Sequence, residues 1–363
     1  NIDASIFKKG KACGSPSSPP CFTYDRCVPP PNGKGATIYV HDYSCSLADS
    51  DQQPVTRENQ EDHHLSSYWR EAAKEAGVLA ETYESACIFI HANDGPGGSR
   101  EEPCATNTPL WNDGVNHVMV DFTDASRNRR RNVAMSYALE AASNMHTCFY
   151  RSGYDLSLPL FPKRDFSGFA KISPMDRQHF LTFKGTLYLA GSGQEERRSL
   201  TALHNEGNNT IISLECFTLH GEDRFPENVD YCDELTATYD DFSYGNLMNT
   251  TFGLVPSGRS PGTFRLVEVM GAGSIPVFVT WDMVPPFPEM FDWPSFSFTF
   301  RPDQVGPGML DTLRAVSPEE LTHMQQKALE ASWKMFKGTT GSYENIARMV
   351  INEVERRVIR DRD

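Results

Sequence analysis

Short apolar runs of strand length alternate along this chain with stretches of helical period. Ala36 to Val40, Cys87 to His91 and His117 to Asp121 are β-prone runs, and Glu61 to Gly77 carries the helical period between the first two. A further helix is predicted near Asn132 to Asn144. In the second half, His179 to Lys184, Thr210 to Leu214, Thr251 to Pro256 and Ile275 to Thr280 repeat the strand pattern. Helices are predicted near Glu196 to His204, from Thr263 to Met270, from Pro318 to Phe336 and from Tyr343 to Ile359. Such alternation predicts an α/β chain with mainly parallel sheets.

A chain of 363 residues is long for one core and comfortable for two. The Pro-rich opening to Pro31 reads as a pinned arm. Pro159 to Pro174, rich in Pro, Lys, Arg and Gly, has the composition of a linker. The predicted lobes are residues 1–165 and 175–363. No internal repeat or low-complexity segment interrupts them.

Charge removes one class of function. With 34 basic and 48 acidic side chains the net charge is −14, which argues against a general nucleic-acid binder. An anionic ligand must be met by local positive charge. No apolar run approaches the roughly 20 residues of a membrane span, and neither a signal peptide nor an initiator Met is present. The expectation is a luminal domain whose anchor lies outside this sequence. Nine cysteines lack the paired spacing of a zinc site, and sequons stand at Asn208 and Asn249. Both features favour an oxidising secretory compartment.

The stretch from Asn249 to Thr280 carries the most chemistry. It reads as strand, glycine-containing loop, short helix and strand, a βαβ unit of the kind that seats an anion where loop N–H groups meet the positive end of a helix. Ser257, Gly258 and Arg259 lie in the loop, Thr263 opens the predicted helix, and Arg265 falls on its first turn. A guanidinium fork matches phosphate oxygens two at a time. Glu268, three residues after Arg265, is placed to accept from a ribose diol. The competing reading is an ordinary i,i+3 surface pair worth about 0.2–0.5 kcal/mol.

The run LVPSGRSPGTFRLVEVMGAGSIPV resembles the donor-site signature of the exostosin family, glycosyltransferase family 47. Other segments follow in family order: Cys21-Phe22 with Cys27, Ala86-Cys87-Ile88-Phe89, Trp111-Asn112 with Asn116-His117, Asp155 to Phe161, Phe183-Lys184-Gly185 and His204-Asn205. The resemblance leans toward the glucuronosyl-transferring first domain of an animal exostosin. It implies a GT-B fold, two Rossmann-like lobes with the donor cleft between them and C-terminal helices crossing back to the first lobe. It also implies disulfides Cys13–Cys21, Cys27–Cys87 and Cys216–Cys232, with one of Cys45, Cys104 and Cys148 left unpaired.

That resemblance implies an inverting transfer from a UDP-sugar, with UDP-glucuronic acid favoured, making a β-1,4 bond on a heparan-like acceptor. No metal or other cofactor is expected. Asp49-Ser50-Asp51 lies in a polar loop and Asp361-Arg362-Asp363 at the terminus, neither placed as a metal-binding strand end. Leaving-group stabilisation therefore falls to Arg259 and Arg265, seconded by Arg197 and the Lys184-Gly185 turn. A solvated helix face is the competing reading for Arg197. Asp94 is the candidate base, against a reading of Asp94-Gly95-Pro96 as turn chemistry. His91 is the runner-up base, while His117 reads as a core residue. His220 and the Tyr239 to Tyr244 segment are expected near the uracil. The cluster Arg127, Arg129, Arg130 and Arg131 suits an acidic acceptor or a solvated helix start. The expected partners are the UDP-sugar, an oligosaccharide or polysaccharide acceptor and, in a dimer, another exostosin, with Golgi or ER residence as a type II membrane protein. The alternatives are a neutral-sugar transferase, for galactose, xylose or arabinose, and a catalytically silent subunit of a polymerase complex.

Overall fold

The computed structural model describes residues 22–23, 36–41, 65–92, 111–122, 136–189, 193–217, 229–337 and 342–362. Its strands are β1 (Ile38–His41), β2 (Ile88–Ala92), β3 (His117–Asp121), β4 (Leu139–Ala142), β5 (Leu156–Ser157), β6 (His179–Tyr188), β7 (Thr210–Phe217), β8 (Thr250–Pro256), β9 (Ile275–Val279) and β10 (Phe298–Phe300). The helices are α1 (Leu65–Glu75), α2 (Gln194–Ser199), α3 (Val229–Ala237), α4 (Phe264–Gly271), α5 (Pro307–Arg314), α6 (Pro318–Phe336) and α7 (Ser342–Arg362). Two units divide the chain: residues 1–158 with 340–363, and residues 159–339. Each is built on a parallel five-stranded sheet, the α/β design of a GT-B chain.

In the first unit the strands lie in the order β1-β2-β3-β4-β5. β2, β3 and β4 are buried along their whole length, so they read as continuous apolar runs with no alternation. Helix α1 buries Trp69, Ala72 and Ala73, and α7 buries Ile346, Ala347, Val350, Ile351, Val354 and Val358 at helical spacing. The two helices pack on each other. The helix expected near Asn132 to Asn144 is corrected: Leu139–Ala142 is strand β4, paired with Val118–Asp121. Leu-Glu-Ala-Ala favours a helix by propensity. Full burial in the sheet overrides it, and Asp155 fixes the strand by accepting from Glu140 N at 3.0 Å. Asp155 also takes Arg151 at two points, Nε at 2.9 Å and Nη2 at 2.6 Å. The Asp-Leu-Ser-Leu segment is thus a buried clasp.

The second unit has the order β7-β6-β8-β9-β10. In the unit's own numbering that is 2-1-3-4-5, with the topological switch between β6 and β8. Residues 159–178 are no bare linker, since they form turns at Ser167–Phe169 and Pro174–Asp176 that belong to this unit. Arg177 ties them to the sheet by donating to the carbonyls of Ile172, Met248, Ala272 and Gly273. Helix α6 opens on Ser317, whose hydroxyl accepts from Glu320 N, with Pro at its first position and Glu319 and Glu320 at its positive end. The expected Cys216–Cys232 disulfide is present and fastens the end of β7 to α3. Cys87 is also disulfide-bonded, whereas Cys13, Cys21, Cys27, Cys45 and Cys104 lie outside the described residues.

Candidate functional site

Parallel α/β sheets present ligands to the loops beyond their carboxyl ends, at the switch point. Here those loops follow β6 and β8. The first reaches Gly193, at φ +79°, immediately before α2. The second runs from Ser257 to Thr263 and opens α4, where Thr263 caps the helix by accepting from Arg265 N at 3.3 Å. The loops touch through backbone: a Cβ on Gly193 would lie 2.3 Å from the Gly258 carbonyl oxygen. A second glycine lets the helix approach its strand. A Cβ on Gly253 of β8 would meet Val269 of α4 at 2.5 Å. Leu266, Val267, Val269 and Met270 fill the space between α4 and its surroundings.

Positive charge gathers beside these loops. Arg197 and Arg265 both lie over the Phe183 ring, at 5.5 and 5.9 Å from its centroid. Arg197 donates to Ser257 O at 3.1 Å and Thr186 O at 2.6 Å and stacks on Tyr188. Burial pulls its pKa down. Arg197 therefore braces the loop from a buried position, and the reading of a solvated face is set aside. Arg265 is 4% exposed. Its Nη1 reaches Met248 Sδ at 3.3 Å, its Nη2 reaches Thr182 Oγ1 at 3.3 Å, and its buried Nε has no hydrogen-bond partner. Nη2 also donates to Thr182 O at 3.4 Å; the thioether is a poor acceptor and both oxygen contacts are long, so these are weak contacts for a buried cation. Arg265 also lies over the Tyr244 ring at 5.3 Å.

Glu268, equally buried, accepts a hydrogen bond from Tyr244 Oη. Burial and Glu268 together push the Tyr244 phenol up, against the pull of Arg265. Arg265 and Glu268 are thus joined through Tyr244 in the interior and do not form a surface pair. Lys184 is also engaged internally. Its Nζ donates to Tyr239 O and to Phe242 O, the latter at 2.8 Å, and sits 3.5 Å from the Tyr239 ring centroid. Burial lowers its pKa despite Asp240, Glu215 and Asp241 nearby. Burial and Glu215 push the Tyr239 phenol up to about 12. Gly185 makes room for the Phe183 ring, whose Cζ would lie 3.0 Å from a Cβ there.

The structure brings Ser257, Gly258, Thr263, Arg265, Glu268, Arg197, Lys184 and Gly185 into this one region of the second unit, while Arg259 stands exposed on the loop. Asp94, His220, Arg127, Arg129, Arg130 and Arg131 lie outside the described residues. His91 is 2% exposed, bonded to His117 at 2.7 Å and stacked on His41 at 4.4 Å, a core residue of the first unit. Asn116 holds the Thr23 backbone, donating to Thr23 O at 2.7 Å and accepting from Thr23 N at 2.8 Å. The sequence reading missed Thr182, Tyr188 and Met248, which look like ordinary core residues in one dimension. It also missed Trp281, 44% exposed just beyond β9, whose Nε1 donates to Glu195 at 2.9 Å and whose ring lies under Arg301. An exposed Trp directly after a strand's carboxyl end was the available signal. Among the described residues no three His, Cys, Asp or Glu side chains cluster as a metal site.

The second unit thus places Arg197, Arg259 and Arg265 on or beside the loops at the switch point of a parallel sheet, the position at which open α/β sheets receive ligands. The sequence profile of the Exostosin GT47 domain matches residues 34–307, and the chain belongs to that family, glycosyltransferase family 47. Exostosin-1 of Drosophila melanogaster is 29% identical over 288 residues, covering 74% of this chain and 37% of that protein. Exostosin-1 of Papio anubis is 25% identical over 384 residues, covering 100% of this chain and 46% of that protein. The chain thus spans less than half the length of these relatives. Among solved structures, AviGT4, a glycosyltransferase involved in avilamycin A biosynthesis, aligns over 89% of this chain and 98% of its own at TM-score 0.37 and 12% identity, too loosely to bear on the site.

Proposed function

We propose that this chain is an inverting glycosyltransferase that takes a UDP-sugar without a divalent ion and adds a β-1,4-linked residue to a heparan-like or related polysaccharide. UDP-glucuronic acid is the favoured donor, on the similarity to Exostosin-1. The observation that carries the reading is Arg265, a buried guanidinium at the start of α4 with an unpartnered Nε and weak contacts for the rest. A diphosphate would supply the negative charge it lacks, with the helix end adding its dipole.

In the reaction the acceptor hydroxyl forms a bond to the anomeric carbon as the bond from that carbon to the diphosphate oxygen breaks. The electron pair leaves with UDP, and the hydroxyl proton passes to a base, for which Asp94 is the candidate. Arg265, Arg259 and the Ser257–Thr263 loop stabilise the departing charge. Arg197 holds the loop in place, Glu268 meets the ribose diol, and Trp281 offers an apolar face to a sugar ring. Partners are the donor, the glycan acceptor and a second exostosin chain, in the Golgi or ER lumen. No helix among the described residues is long and apolar enough to cross a membrane.

One observation favours a competing reading, a silent scaffold: Lys184 and Arg197 are already committed to backbone carbonyls. Calorimetric titration with UDP, with and without EDTA, separates the two. Binding unaffected by EDTA is expected; no binding selects the scaffold, and binding abolished by EDTA rejects the metal-free mechanism. Transfer from UDP-glucuronic acid measured against UDP-galactose and UDP-xylose then tests the donor.

A further inference from the structure

A cavity of about 300 Å³ opens at the other edge of the second unit's sheet, among the amino ends of its strands. His179 and Phe180 begin β6, Thr251 is the second residue of β8, and Asn209 precedes β7. Leu313 and Arg314 at the end of α5, Val316 in the turn that follows and Leu321 at the start of α6 complete the lining. In a chain of net charge −14, this lining holds two arginines and a histidine and no carboxylate.

Each cationic group has a distinct condition. Arg177 is 8% exposed and bonded only to backbone carbonyls, so no acid offsets its charge, and burial lowers its pKa to about 10. Arg314 is exposed and lies over the Phe180 ring at 5.4 Å. His179 has its Nδ1 buried without a hydrogen-bond partner. Buried polar atoms are rarely left so, and the residue that carries this one is part of the cavity lining.

We propose that this cavity is a binding site for a small organic carboxylate, its apolar body lying against Phe180, Leu313, Val316 and Leu321 and its charge meeting Arg314 and His179. A volume near 300 Å³ sits at the low end of the range for small-molecule pockets, which limits the ligand to one ring or a short branched chain. The site is independent of the transferase reading, since none of its residues belongs to the switch-point loops.

The titratable groups that line the cavity with His179 are Arg177 before β6 and Arg314 on α5; β8, α6 and the turn at Asn209 add none to the lining. Burial holds the His179 imidazole below its usual pKa, so it is neutral when the cavity is empty at pH 7. A carboxylate against it favours the imidazolium, so binding takes up a proton and tightens as pH falls toward 6.

Benzoate is the probe, benzamide its neutral isostere, and the readout is the His179 ring signal in a histidine-labelled NMR spectrum, assigned by its loss in His179→Gln. The expected result is a saturable shift with benzoate, affinity at least threefold higher at pH 6 than at pH 8, and at least tenfold weaker binding in Arg314→Gln. Arg314 is exposed on a helix, so that variant should melt like the parent. Benzamide should leave the signal in place, and UDP binding should be unchanged in both variants. A His179 signal that benzoate does not move, equal binding of benzamide, or undiminished benzoate binding in Arg314→Gln would each overturn the proposal.

Discussion

Gly193 and Gly258 meet backbone to backbone: a Cβ on Gly193 would stand 2.3 Å from the Gly258 oxygen and 2.9 Å from the Ser257 oxygen. One glycine ends the loop after β6, and the other sits in the loop after β8. The contact therefore sets the spacing of the two loops that flank the switch point. Gly193 also holds φ +79°, which side-chain-bearing residues rarely adopt. Gly193→Ala should lower stability by about 1–3 kcal/mol from backbone strain alone, with the collision added. A thermal melt and a UDP titration on the same sample check this. Unchanged melting with weakened UDP binding would still place the contact at the site, whereas no change in either would remove it from consideration.

Arg265→Lys tests the fork. Lysine keeps the charge but cannot offer two parallel N–H groups to a phosphate or lie flat over Tyr244 and Phe183. If the guanidinium stabilises the leaving diphosphate, kcat/KM should fall by about 100-fold or more, the loss typical of removing one such donor. Steady-state kinetics with the best donor give the number. A loss below about threefold would assign Arg265 to packing.

Tyr244→Phe keeps the ring that Arg265 lies over and removes only the hydroxyl that Glu268 accepts from. Glu268 would then be a buried carboxylate short of a donor, so the variant should lose about 1–3 kcal/mol. Urea denaturation midpoints report it. Added UDP should recover part of the loss if the ribose diol takes up the Glu268 oxygen.

The second unit was largely legible in the sequence because its signals are local. Two glycines and a proline in the loop and apolar runs of strand length predicted β8, the loop, α4 and β9 to within a residue at each end. Helix α6 was bounded by Ser317-Pro318, a start signal written in adjacent residues. What escaped depends on contacts distant in sequence. Leu139–Ala142 has helix-forming composition and becomes a strand only because Asp121 and Ser157 flank it in the sheet. Arg197 resembles a surface arginine among charged neighbours, yet Ser257, 60 positions away, accepts its Nε proton. Thr182 and Met248 gained their place beside Arg265 through packing that no periodicity encodes.

The Asp155 clasp makes a stability prediction in the first unit. Arg151 and Asp155 are 8% and 1% exposed, and the carboxylate also holds backbone N–H groups of Glu140 and Arg151. Removing one partner leaves a charge in the interior, so Asp155→Ala should cost about 3–5 kcal/mol. Asp155→Asn retains one acceptor and should cost less. Denaturant titrations of both variants give the order, and equal, small losses would contradict the clasp.

Acid should weaken the first unit through His91. Desolvation first, then His117 and His41, hold its pKa well below the usual 6.5, so the folded chain keeps this imidazole neutral. The unfolded chain protonates it near pH 6.5. Above that pH neither state binds the proton and stability is flat. Below it the unfolded state alone gains the proton, so stability falls with falling pH, by up to about 1.4 kcal/mol per pH unit, until the folded-state pKa is reached. His91→Phe keeps a ring stacked between His41 and His117 and removes the titration. Denaturation midpoints between pH 5 and 8 should slope for the parent and flatten by close to one proton in the variant. Parallel slopes for the two proteins would assign the acid sensitivity to other groups.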